Sequence, residues 1–246
     1  MPGKYYGEVT CGFGYDNSIG DYKLVMIPDY EYTCCKIDVY TVKSNSWSSS
    51  IQGTFLFRSG KGYRGVFFNG RLHWLGGLDT YETCSEVILS FYISNEIVVN
   101  MLLPENIMPP KDYYGEVYKN VGVWGDCIGI ACIWNSVRID VWVMQEYGVK
   151  DSWIIKYTTT QLPLPFSLQE IPFWKSLWCF NNGELLVDTG KKILLYEPKT
   201  ERVTSVVVRD ISINNSRQIY VESIVSLGSG TNMEKPITDE VVKNPM

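Results

Sequence analysis

A chain of 246 residues, 45% hydrophobic and 20% charged, is globular in composition, with ample core for one large domain or two small ones. A net charge of −5 disfavours nucleic acid, which needs clustered Lys and Arg, so no nucleic-acid partner is expected. The longest uncharged apolar stretch, Cys127 to Trp134, is too short to span a bilayer, and "MPGKYYGEVT" lacks the basic-then-apolar pattern of a secretory leader; neither membrane nor secretion is expected.

In chain order the strand-like runs are "CGFGYD", "DYKLVMI", "CKIDVYTV", "RGVFFN", "RLHWLGG", "VILSFYI", "CIGIACIW", "RIDVWVM", "SLWCFN", "GELLVD" and "KILLYE". Gly, Asn and Asp turns separate them, and no segment sustains a helical period. The aromatic share of 14%, with 17 Tyr and 8 Trp, suits sheet surfaces. The chain reads as all-β.

A repeat underlies these runs. The pattern Ile-x-x-aromatic followed by a turn occurs at Ile37, Ile88, Ile139 and Ile193, at spacings of 88 − 37 = 51, 139 − 88 = 51 and 193 − 139 = 54. Two β runs joined at a turn precede each copy, and Asn69-Gly70 and Asn182-Gly183 are strong hairpin signals. Four short strands in a unit of about fifty residues predict a β-propeller blade. The pentapeptide YYGEV, at Tyr5–Val9 and Tyr113–Val117, recurs 113 − 5 = 108 residues apart, two periods, and reads as the same blade edge seen twice.

In "IDVY" and "ILLY" apolar residues fall at both parities, which predicts strands buried on both faces, as radially stacked blades require. Four blades are expected, at roughly 10–50, 64–104, 120–160 and 174–208. The run "QIYVESIVSL" at 218–227 would complete another. One propeller-like domain is therefore drawn over 1–227, with a polar, disordered tail over 228–246.

The same stretches, "GFGYDNSIGDYKLVMI", "IDVYTVKSNSW", "GVFFNGRLHWL", "ILSFYIS", "IDVWVMQEYGVKDSW", "ILLYEPKT" and "YVESIVSL", resemble the kelch-like associated-domain repeats of plant F-box proteins over nearly the whole chain. The resemblance implies the substrate-recognition half of a Skp–cullin–F-box ubiquitin ligase. In such proteins an N-terminal F-box binds a Skp-type adaptor, and the C-terminal domain selects the protein to be ubiquitinated. This sequence begins at the "GFGYD" repeat with no helical F-box ahead of it. A Skp-type adaptor is thus expected only if the full-length protein carries an F-box, and an N-terminal blade is expected to be missing.

Catalysis finds little support. His73 is the one histidine, and in "RLHWL" it reads as a packed strand residue. The seven cysteines include no CxxC pair and read as buried thiols of a reducing compartment, cytoplasm or nucleus. No phosphate-cradling motif is present, and no cofactor or metal is expected. Paired carboxylates for glycoside hydrolysis stay open, with nothing singling out a pair.

Binding is expected on loops. In a four-stranded meander the 1–2 and 3–4 turns lie at one end and the 2–3 loops and blade links at the other. The first set is tight apart from "QEYGVKD"; the second is long, at 28–33, 77–86, 103–116 and 161–173. Long loops on a rigid scaffold carry binding residues. Asp29, Tyr30, Glu31, Tyr32, Asp79, Tyr81, Glu82, Asp112, Tyr113 and Tyr114 are the candidates there. Tyr supplies rigid contact area and the acids would steer a basic partner protein. The expected function is recognition of substrate proteins. The alternatives are a scaffold that binds the same partners without ubiquitination and, more distantly, a glycan-acting enzyme.

Overall fold

The computed structural model describes residues 9–28, 36–51, 56–59, 65–79, 84–107, 117–134, 138–159, 175–180, 183–188 and 193–206. Strands β1 (Val9–Asp16), β2 (Asp21–Pro28), β3 (Lys36–Thr41) and β4 (Ser46–Ile51) form the first antiparallel blade. The second holds β5 (Leu56–Ser59), β6 (Val66–Phe68), β7 (Arg71–Asp79), β8 (Cys84–Tyr92) and β9 (Val98–Leu102). The third holds β10 (Val117–Trp124), β11 (Cys127–Trp134), β12 (Arg138–Met144) and β13 (Trp153–Thr159). The fourth holds β14 (Lys175–Cys179), β15 (Leu185–Asp188), β16 (Ile193–Glu197) and β17 (Arg202–Val206). The protein is an all-β array of propeller blades.

The repeat maps onto the blades. Ile37, Ile88, Ile139 and Ile193 all lie on third strands, β3, β8, β12 and β16. Val9 and Val117, which end the two YYGEV copies, begin β1 and β10; the other residues of both copies lie outside the described residues. Asn69 and Gly70 have φ of +48° and +71° between the paired Phe68 and Arg71, the left-handed pair that a two-residue hairpin with the right twist needs. A second repeat is hidden from residue identity: Asn45, Glu96 and Glu201 each take positive φ in the turn after the third strand.

Two expectations need correction. "RGVFFN" is only half of a first strand, because β6 covers Arg71–His73 of the nine-residue β7 and β5 covers Gly76–Asp79. The long loop expected over 77–86 is mostly sheet: Gly77 pairs Glu86, and Asp79 pairs Cys84. The backbone groups of these residues complete a ladder, which a free loop would leave to water.

Three apolar clusters lie between consecutive blades. Val25, Ile27, Ile37 and Val39 meet Leu72, Trp74, Leu89 and Phe91. Leu75, Ile88 and Met101 meet Ile128, Ile130 and Trp142. Ala131, Ile133 and Val141 meet Leu185, Val187 and Tyr196. The second and third blades are thus covered on both faces, and β11 and β12 are buried almost throughout. "IDVY" is buried from Ile37 to Val39. "ILLY" departs from the expectation, alternating half-buried Ile193 and Leu195 with buried Leu194 and Tyr196, because among the described residues its cluster comes from the third blade alone. The recurring Asp of "IDVY" and "IDVW" is partnered inside its own blade: Asp38 by Lys36 and Ser49, Asp140 by Arg138 and Thr158. These carboxylates hold strands together.

Candidate functional site

Of the loop residues expected to bind a partner, Asp29, Tyr30, Glu31, Tyr32, Tyr81, Glu82, Asp112, Tyr113 and Tyr114 lie outside the described residues. Asp79 is described and ends β7. It stands at the end where the second strand turns to the third, as the meander geometry predicts.

The opposite end carries a cluster that the loop argument missed. On the second blade's face toward the third, register places Leu75 opposite Ile88, His73 opposite Ser90, and Arg71 opposite Tyr92. The face therefore grows polar from the core toward the tight turns. Tyr147, from the 145–152 turn of the third blade, crosses onto this face. Its hydroxyl lies 2.6 Å from His73 Nε2 and 3.4 Å from Ser90 Oγ. His73 Nδ1 lies 3.2 Å from the Val66 carbonyl oxygen. With Nδ1–H donating to that carbonyl, Nε2 accepts the Tyr147 proton. The His73 and Tyr147 rings meet edge-on at 5.8 Å, and Phe68 lies 5.8 Å from Tyr147.

The turn that delivers Tyr147 is braced. Ser152 Oγ accepts from the Glu146 amide at 3.0 Å and donates toward the Val149 carbonyl at 2.7 Å. Gln145 N–H donates to the Ser152 carbonyl, Val149 N–H to that of Glu146, and Gly148 has φ +86°. Lys150 pairs with Glu105 across the blades at 3.0 Å. "QEYGVKD" stood out in sequence as the one long turn at its end, and that was the available signal; where its tyrosine lands was not visible.

Arg71 closes the cluster. Its Cζ lies 3.4 Å from the centre of the Tyr92 ring and 4.8 Å from that of Tyr147. The side chain is half-buried, and Nε has no hydrogen-bond partner among the described residues.

His73 is a packed strand histidine, fully buried. Burial penalises its charged form and the Arg71 cation adds to this, so its pKa falls from 6.5 to about 4. The unfolded chain binds the proton more readily, so stability is complete above pH 6.5 and drains away as pH falls toward 4. The expected loss is roughly 3 kcal/mol over that window. Urea titrations at pH 7.5 and pH 4.5 check it: His73→Gln should flatten the difference, and an equal slope in both proteins would refute it.

The model of the F-box associated beta propeller domain family matches residues 2–227 of the chain. F-box protein CPR1 of Arabidopsis thaliana is 25% identical over 239 residues, an alignment covering 89% of this chain and 56% of that protein. An F-box/kelch-repeat protein of the same plant is 28% identical over 225 residues, with the same 89% and 56% coverage. The chain spans little more than half the length of these relatives.

Proposed function

The chain belongs to the F-box associated β-propeller domain family, and from that premise we propose that it selects substrate proteins for a Skp–cullin–F-box ubiquitin ligase. The observation that carries this reading is the blade array itself, four antiparallel sheets that form a rigid scaffold for their strand-to-strand connections. Catalysis has no part in it. His73 commits both ring nitrogens to Val66 and Tyr147, and Asp38 and Asp140 are held in ion pairs within their blades. The partner surface we assign to the connection end, with Tyr30, Tyr81 and Tyr113 as contacts and Asp29, Glu31, Asp79 and Asp112 drawing a basic partner. A Skp-type adaptor would bind only if the full-length protein carries an F-box.

Recovery of the tagged chain from cross-linked plant cells tests it. Lys-rich and Arg-rich proteins should be enriched, and the combined replacement of Tyr30, Tyr81 and Tyr113 by Ala should lose them. Fused behind an F-box and reconstituted with the ligase, the chain should direct ubiquitin onto the same proteins. Enrichment that survives the triple replacement refutes the surface. Enrichment without ubiquitin transfer favours a scaffold that binds without ligase activity.

A further inference from the structure

We propose that Arg71, Tyr92 and Tyr147 form a second recognition point, at the tight-turn end between the second and third blades, that takes a carboxylate of an acidic partner segment. Charge is unbalanced at this point of the fold. Lys23, Lys36, Lys119 and Lys150, each buried or half-buried, all meet a carboxylate: Asp16 and Glu96, Asp38, Glu86, and Glu105. Arg71 is half-buried and meets none among the described residues; it lies instead between two ring faces. Ring faces attract a cation and accept little from its N–H groups. At 3.4 Å the guanidinium must stack on Tyr92, which leaves its in-plane donors directed past the ring. A planar, permanently charged donor fork held this way matches one carboxylate in geometry and charge.

The site is also preorganised. Tyr147 is fixed by His73 and Ser90 at its hydroxyl and by the Ser152-braced turn at its backbone. The Tyr92 backbone is fixed by its register opposite Arg71 and by its bonds with Ile97 and Glu96. A ligand would therefore meet a site already ordered, with little conformational entropy left to lose. His73 beside it is neutral at pH 7, so Arg71 carries the charge there. The Phe68 ring against Tyr147 offers an apolar wall for the residue next to the carboxylate.

This inference rests on the proposed function only in taking a protein as the partner. Its test needs no ligase, so the two fail separately. Arrays of randomised decapeptides, made with free or amidated C-termini, should be probed with the whole chain and with Arg71→Gln and Arg71→Lys. The wild-type chain should select Asp or Glu at one position in both arrays if the ligand is a side chain, or bind the free-acid array alone if it is a C-terminus. Arg71→Gln should weaken the selected peptides at least about tenfold. Arg71→Lys, which keeps the charge on the rings and guards against loss of fold, should weaken them several-fold because a point charge replaces the fork. A wild-type chain that neither selects Asp or Glu nor prefers the free-acid array, or undiminished binding by either variant, overturns the proposal. Arg71 would then be a cation–π brace between blades.

Discussion

Gly129→Ala is expected to destabilise the protein by about 3 kcal/mol, toward the upper end of what one added methyl does in a packed core. Gly129 sits on β11 opposite Val143 of β12. A Cβ built there would lie 2.2 Å from the Trp142 carbonyl oxygen and 2.8 Å from Trp124 Cε3. The first neighbour is backbone within a hydrogen-bonded ladder, so relief requires shifting a strand rather than turning a side chain. The Trp124 ring is buried between the third and fourth blades and has no room to retreat. For a chain of this length the melting temperature should drop by roughly 10 °C. Gly70→Ala serves as the internal comparison, since nothing lies within 4 Å of a Cβ there and only its φ of +71° is strained. It should cost about 1 kcal/mol. Guanidinium denaturation of both variants decides the matter, and equal midpoints would refute the packing argument.

Lys23→Met is expected to cost on the order of 3–5 kcal/mol at pH 7, because it strands a buried carboxylate. Lys23 Nζ donates to the Ile93 carbonyl at 2.9 Å and to Glu96 at 2.9 Å, and it pairs with Asp16 at 3.0 Å. Asp16 also accepts from Ser18 Oγ at 2.6 Å and Ser94 Oγ at 3.0 Å. Burial works against the charged Asp16, but the bonds from Ser18, Lys23 and Ser94 outweigh it and hold the pKa at about 2. A lowered carboxyl contributes stability above its unfolded value of 3.8 and loses it as pH falls through about 2. Without Lys23 the carboxyl should protonate at higher pH, so the deficit of Lys23→Met should shrink between pH 7 and pH 4. Adding Asp16→Asn should recover a large part of it. A deficit that is constant with pH and untouched by the second substitution would show that Lys23 acts through packing alone.

These two sites differ in how far they could be read in advance. "CIGIACIW" announces a buried strand through its unbroken apolar run, and β11 is one. That its glycine must remain a glycine depends on where the Trp142 carbonyl passes. Asp16 and Asp21 are paired across the hairpin between β1 and β2. Asp21 is served within its own blade by the Tyr22 and Lys43 amides, whereas Asp16 is tied to the second blade through Ser94 and through Lys23, whose ammonium reaches the Ile93 carbonyl 70 positions away. His73 was legible as a packed residue because its neighbours Leu72 and Trp74 are apolar. Its hydrogen bond to Tyr147, 74 positions away, was not.

Strand content, the blade period through Ile37, Ile88, Ile139 and Ile193, and the hairpin at Asn69-Gly70 are legible from the order of the residues. Each rests on interactions between residues near in the chain: side-chain alternation, turn dihedrals and the span of a four-stranded unit. The split first strand of the second blade, the Lys23 latch to Ile93 and Glu96, and the meeting of Arg71, Tyr92 and Tyr147 emerge only from the packed fold. Those depend on how one blade settles on the next. That is fixed by apolar burial summed over whole faces, a sum that no short window of residues contains.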